Sequence, residues 1–448
     1  MIHPEDKKQL FRLTWPMFFE VVLFSVIGSV DVMMLSGYAD NAVGGVGAVN
    51  QVLSLFAVVS NIITAGTGIL CAQYIGAGKT LEEKQPLILG SLLVNTLLGI
   101  LFSLTAVFFS DFLLTMVNID QELRPYAKEY LSIVGGFLFL QMTAMTFYVA
   151  IRSHGKTRAT MIFSVVMNLI NVVLNYVLIY GKLGLPVMGV SGAAIATVVS
   201  KFFSCAVAGI YLFRFVLPGM SLRPQWKVMG KTLKTVLAYG APAAGEQISY
   251  TLSNLVVMAM VNSLGAVAAN AYTYLNTVVS YVYLFSSSLG QGTSIMVGWE
   301  AGKKRTDRAR YIGRYSANCS FFIAIGAITL LCLLRRPVLG LFTQDEQILA
   351  LAYGVMLTDF IREAGRSRNL VLVNSLRAAG DVRFPLYIGL VSMWLFSVGF
   401  SWLLGIRLGW GLAGIWIALG LDECFRAIGM QIRWEKGTWT KFVLKGTD

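Results

Sequence analysis

Histidine is almost missing from this chain, with only His3 and His154 in 448 residues. That scarcity argues against a multi-histidine metal site or a Ser-His-Asp triad. Cysteine is scarce too. Cys71, Cys205, Cys319, Cys332 and Cys424 are scattered without metal-ligand spacing, so apolar packing is their default role. Charge is thin: Asp, Glu, Lys and Arg make up 13% of residues, against about 25% in a water-soluble domain. Alternation of apolar and polar residues is also lacking in the apolar runs, which argues against the strands of a barrel wall.

What is present is apolar sequence, 56% of the chain. Twelve stretches are long enough to cross a bilayer core, which needs about 20 helical residues. They are 10–37, 46–74, 87–109, 130–151, 159–180, 190–212, 237–264, 272–297, 315–334, 348–376, 384–404 and 412–434. The first is too long for a signal-peptide core and carries no small-residue cleavage site, so none is expected. Placing the N-terminus in the cytoplasm puts 25 of the 36 Lys and Arg on inner segments, Lys445 among them. Six fall on outer segments and five inside predicted helices. This bias satisfies the positive-inside rule with both termini cytoplasmic. The net charge of +13 is then topology, spread over short loops, and no nucleic-acid partner is expected.

The chain also reads as one pattern written twice. Trp15-Pro16, Glu20, Asn50, Gly66-Thr67 and Gly76 recur as Ala241-Pro242, Glu246, Asn276, Gly292-Thr293 and Gly302, 226 residues later. Arg152-x-x-Gly155-x-x-Arg158 recurs as Arg377-x-x-Gly380-x-x-Arg383. Two matched halves in so apolar a chain predict two lobes facing each other across a central site, as in a transporter. Six helices per half is an even number, which relates the halves by an axis along the membrane normal. The expected divisions are an N-terminal lobe at 1–217, a basic cytoplasmic linker at 218–234 and a C-terminal lobe at 235–448. Gly76-Ala-Gly78-Lys79-Thr80 resembles the end of a phosphate-binding loop. Its first glycine would be Gln73, however, and a helix-ending turn is the expectation.

Polar groups inside the membrane need a reason, because a central charge costs roughly 2.5–3.5 kcal/mol. Glu20 and Asp31 share a face of the first helix, about 16 Å apart along its axis. Ser164, Asn168, Asn171 and Asn175 form a stripe on the fifth. Two readings stand: a hydrated pocket with Asp31 as its proton- or cation-binding group, or helix–helix glue. Glu246 repeats Glu20. The two acids either line a central cavity or each pair with a loop arginine. On the tenth helix Asp359, Glu363 and Arg366 share a face, as a self-neutralising network or a substrate-binding set. Asp422, Glu423 and Arg426 are expected to form an interfacial salt-bridge set.

These residues are similar to those of the multidrug and toxic compound extrusion (MATE) family, within the MOP flippase superfamily. Pro16 with Asp31 matches the family's first-helix acid. Asn171-Val-Val-Leu-Asn175-Tyr176 and Gly189-Val-Ser-Gly-Ala-Ala-Ile-Ala-Thr197 resemble its fifth and sixth helices, and Leu376-Arg377-Ala-Ala-Gly380-Asp381 its tenth-helix exit. The resemblance implies an all-α integral membrane protein of 12 transmembrane helices in two pseudo-symmetric six-helix bundles. It implies H⁺- or Na⁺-driven efflux of amphipathic, often cationic drugs or toxins by alternating access. Asp31, Asn171 and Asn175 become the coupling set, with Na⁺ near Asp31 as one option. Glu20, Glu246, Asp359, Glu363 and Arg366 become candidates for the substrate cavity. Glu246 stands one turn before the seventh-helix glutamate of one branch. The expected setting is the plasma (inner) membrane, and the expected working form is a monomer in the bilayer. Neither an enzyme nor a cofactor is expected. The alternative is a lipid or lipid-linked oligosaccharide flippase of the same superfamily.

Overall fold

A computed structural model describes residues 4–443. His3 and Lys445 lie outside the described residues. No strand occurs among them, and twelve long helical passes account for most of the chain. They are α1 (Pro4–Ser36), α2 (Asp40–Gly76), α3 (Leu81–Phe108), α4 (Arg124–Gly135 with Leu138–Ser153), α5 (Thr157–Ile179) and α6 (Gly189–Val216). The second half supplies α7 (Trp226–Ser263), α8 (Ala266–Gly302), α9 (Thr306–Leu333), α10 (Glu346–Ala378), α11 (Arg383–Arg407) and α12 (Gly411–Lys436).

Most helices overrun their apolar stretches. The α1 helix starts at Pro4, not residue 10, and α7 starts at Trp226, inside the segment read as a linker. Backbone groups leaving a bilayer are most simply satisfied by continuing the helix, so charged flanks wind on as extra turns. The α4 pass is broken, with its two pieces meeting at 50°, where a π-helical stretch over Leu131–Gly135 gives way at Phe137. In α11 the hydrogen bonding widens to a π-helix over Met393–Arg407.

Seven of the twelve passes are apolar enough to span a membrane by composition, and an eighth if the bent pair counts as one span. The other four, α7, α8, α10 and α12, all lie in the C-terminal half. Several of their charged side chains turn inward instead: Glu246, Asp359, Arg362, Glu363, Arg366, Asp422 and Arg426 are all buried. Outward surfaces carry the reverse pattern. Phe24, Met33, Phe108, Val173, Phe202, Phe322 and Trp402 are more than half exposed, as apolar side chains of a membrane-embedded helix are. The turn after α2 confirms the capping role of the glycine-rich segment. Gly78 has φ +68°. Thr80 and Glu83 then close a capping box on α3, the Thr80 N–H donating to Glu83 Oε2 at 2.8 Å.

The chain divides into two compact units. Of the described residues, one comprises those up to Phe18, Ala72–Gly78 and those from Pro242 onward; the other comprises Phe19–Cys71 and Lys79–Ala241. The second unit has a core of Leu35, Val49, Leu114, Leu131, Ile179 and Ala194. The first holds two cores, one around Trp434 and Trp439 and one around Val257, Leu275 and Trp416. The duplication extends to packing inside each unit. A Cβ on Gly192 of α6 would meet the α5 backbone at Leu178, and one on Gly414 of α12 would meet the α11 backbone at Leu404. Glycine permits both close approaches.

Candidate functional site

The α5 helix is inside-out, which is what makes a site. Its polar stripe of Ser164, Asn168, Asn171 and Asn175 is buried, while Ile162, Leu169, Val173 and Tyr176 on the far side are exposed. Against that stripe lies the half-buried Asp31 of α1. Asn175 Nδ2 donates to Asp31 Oδ1 at 2.7 Å and to Asn171 Oδ1 at 3.2 Å. Turning the Asn171 amide over places its nitrogen 3.0 and 3.2 Å from the two Asp31 oxygens and satisfies both groups. Asp31 therefore sits among amide donors, and no Lys or Arg pairs with it among the described residues. The buried Asn175 Oδ1 has no partner. Tyr180 closes one end of the group, its hydroxyl donating to the Met34 carbonyl at 2.8 Å.

The duplication does not reproduce this cluster. At the 226-residue offset Asp31 falls on Val257, and Asn171 and Asn175 fall on Ser397 and Ser401, all buried. One half carries an acid where the other carries an aliphatic side chain.

Glu20 and Glu246 are arranged alike. Arg152 Nη2 lies 2.7 Å from Glu20 Oε1, which also accepts from Ser164 Oγ at 2.6 Å. Arg377 Nη2 lies 2.5 Å from Glu246 Oε2. Each acid is therefore paired with an arginine of its own half, as one of the two sequence readings had it, but that arginine stands in the last turn of the fourth or tenth helix and not in a loop.

Small residues bring α10 and α12 together. A Cβ on Gly365 would strike the backbone at Glu423 and Cys424, and one on Gly420 would lie 3.1 Å from the Arg362 nitrogen. This approach buries a charge network. Glu363 and Arg366 are ion-paired. Arg426 bridges Asp422 at 2.7 Å and Glu423 at 2.9 Å, while Asn369 Nδ2 donates to Glu423 Oε2 at 2.9 Å. The Asp422 set is thus a salt-bridge set, as the sequence reading had it, and it is buried within the protein. The Trp416 indole N–H donates to Asp359 Oδ1 at 2.8 Å.

Beside the network lies a pocket of about 440 Å³ lined by α7, α8 and α10. Gln247, Tyr250, Thr251 and Asn254 form one face of α7, Tyr272 and Asn276 come from α8, and Arg362 comes from α10. Neither Glu246, Asp359, Glu363 nor Arg366 lines it. Arg362 belongs to the run of charges on α10, three residues after Asp359 and four before Arg366, but was not among the predicted site residues. The available signal was a polar stripe on α7, at residues 247, 250, 251 and 254, met by Tyr272 and Asn276 of α8. No group of three or more His, Cys, Asp or Glu among the described residues is arranged to hold a metal ion.

Comparison with known proteins gives two matches to one family model, MatE, at residues 16–177 and 242–403. The two matches are displaced by the repeat offset itself. The chain is 36% identical to the uncharacterized transporter YisQ of Bacillus subtilis, over 97% of this chain and 96% of the relative. It is 27% identical to the probable multidrug resistance protein NorM of Thermotoga maritima, over 98% and 94%. Its fold superposes with a TM-score of 0.87 on an outward-facing multidrug resistance MATE transporter of the MOP superfamily. That structure is 21% identical, with 97% of each chain covered.

Proposed function

Since the chain belongs to the MATE family of multi-pass membrane transporters, we propose that it is a secondary antiporter. It exchanges H⁺ or Na⁺ for amphipathic organic compounds, cationic ones included, and exports drugs or toxins by alternating access. It works as a monomer in the plasma (inner) membrane, with both termini cytoplasmic. The observation that carries this reading is the Asp31–Asn171–Asn175 cluster. It is an intramembrane carboxylate with amide partners and no permanent countercharge among the described residues. Such a group is expensive to keep ionised and is a functional site by default.

The chemistry follows from the donors. Ionised Asp31 accepts from Asn175, and from Asn171 in its turned orientation; hydrogen bonds to a charged acceptor are worth about 1.5–3 kcal/mol each. Proton binding at an Asp31 oxygen removes the charge and converts that oxygen to an O–H donor. The unpartnered Asn175 Oδ1 is an acceptor within the same group. Sodium would use the carboxylate and the two amide oxygens instead. Either event replaces the hydrogen bonds that tie α1 to α5 with a different set and so favours a second packing of the unit. Deprotonation or Na⁺ loss restores the first. Glu20 and Glu246, each held by an arginine, then serve as fixed struts of their halves, and the α10–α12 network as a neutralised scaffold.

The test is ethidium transport into everted membrane vesicles energised separately by a pH gradient and a Na⁺ gradient. Asp31→Asn should abolish gradient-driven uptake while leaving a monodisperse, membrane-inserted protein. Uptake equal to that of the unaltered chain would remove Asp31 from coupling.

A further inference from the structure

Among the buried arginines of the described residues, Arg362 lines a cavity. Its residue is 8% exposed. Arg366 and Arg426, buried to the same degree, are both ion-paired. Arg362 has no carboxylate within ion-pair distance among the described residues. Its Nη1 donates to Asn276 Oδ1 at 3.2 Å, and its guanidinium lies over the Trp416 ring with 4.9 Å to the centroid. Tyr272 meets the same indole edge-on at 5.6 Å. These contacts fix the plane of the guanidinium and leave most of its five N–H donors uncommitted. Of the acids beside it on its own helix, Asp359 is engaged by the Trp416 N–H and Glu363 is ion-paired with Arg366, and neither lines the cavity.

The cavity wall itself contains no carboxylate. Apart from Arg362 it offers the amides of Gln247, Asn254 and Asn276, the hydroxyls of Tyr250, Tyr272 and Thr251, and the apolar Leu255 and Met258. A wall with one desolvated cation, several neutral donors and aromatic surface is complementary to a planar anion on an aromatic body. A cationic guest would meet Arg362 with no wall acid to offset the repulsion.

We propose that this pocket between α7, α8 and α10 is a binding site for amphipaths bearing a carboxylate or similar planar anionic group. The anion is gripped by Arg362, and the aromatic body rests among Tyr250, Tyr272 and Met258. The proposal rests on the exporter reading and deepens it, since it adds an anionic or zwitterionic class to the compounds carried. Its volume of about 440 Å³ suits a ligand of two or three fused rings, within the usual range of small-molecule sites.

Equilibrium binding without any gradient tests the pocket independently of coupling. Purified protein in lipid nanodiscs is dialysed against radiolabelled 2-naphthoate, 2-naphthamide or 2-naphthylmethylammonium, with empty nanodiscs as the blank. Naphthoate should bind saturably and at least tenfold more tightly than the ammonium. Arg362→Gln should weaken naphthoate tenfold or more and change naphthamide less than threefold, while Arg362→Lys recovers part of the loss. Should Arg362→Gln fail to fold, Asn254→Asp carries the test: it adds an acid to the wall and should reverse the preference between naphthoate and ammonium. Equal or tighter binding of the ammonium by the unaltered chain would overturn the proposal. So would naphthoate affinity insensitive to both Arg362→Gln and Asn254→Asp. Naphthoate binding that persists in an Asp31→Asn protein unable to transport would leave the pocket standing and place the failure in the coupling.

Discussion

Removing Arg152 should cost the protein more than removing Arg152 and Glu20 together. Arg152→Gln strips the 2.7 Å partner from Glu20, whose side chain is only 11% exposed and whose Oε2 already lacks a hydrogen bond. Breaking a buried pair from one side costs about 3–5 kcal/mol, and an exposed pair is worth about 0–1 kcal/mol. Arg152 is 25% exposed and Ser164 still donates to Glu20, so about 2–3 kcal/mol is the figure between those limits. In Glu20→Gln/Arg152→Gln no charge is stranded, and most of that loss should return. The same order should hold in the other half for Arg377→Gln against Glu246→Gln/Arg377→Gln, where the pair is 2.5 Å long. The assay is the fraction of monodisperse protein surviving a temperature series in detergent, read by size-exclusion chromatography. If each single arginine variant matches its double variant, the acids are not stranded charges and the strut assignment is wrong.

Other consequences follow from particular contacts. Gly76 and Gly302 occupy matching repeat positions, and a Cβ on either would strike a backbone carbonyl, of Trp299 or of Gln73 respectively. Gly302→Val should therefore cost at least the 1–3 kcal/mol typical of overpacking, seen as lost monodisperse yield. His154, in the turn after α4, has its pKa pushed down to about 4 by burial, with Lys84 adding to the shift. Between about pH 4 and its ordinary 6.5 the unfolded chain binds this proton and the folded chain does not. Stability contributed by neutral His154 is thus complete above 6.5 and declines as pH falls towards 4. His154→Gln should flatten that part of a thermal-stability profile. Thr80→Ala removes the capping box of α3 and should cost about 1 kcal/mol, measurable by the same temperature series.

How much of this was legible in the sequence depends on which force decided each feature. Helices, passes and repeat were legible because bilayer solvation acts residue by residue on composition, and because the offset between Glu20–Arg152 and Glu246–Arg377 survives as a pair of ion pairs. The inward stripe on α5 was legible because amides at helical spacing have one face in common. Helix ends were not, since the charged first turns of α7 follow hydrogen-bond continuity, not hydropathy. The Arg362 pocket was not legible either. It depends on Gly365 and Gly420 drawing α10 and α12 together and on Trp416 holding the guanidinium, contacts that no spacing along one helix encodes. The burial of Asp422 and Arg426 has the same origin.

The central claim is that neutralising Asp31 is what couples ion entry to export. Proteoliposomes containing the purified chain, with a pH-sensitive dye sealed inside and Na⁺ or K⁺ salts outside, test it most directly. Ethidium movement against its gradient should be matched by opposing H⁺ or Na⁺ flux in the unaltered chain. Both should vanish together in Asp31→Asn. Ion flux coupled to ethidium at the unaltered rate in that variant would contradict the account.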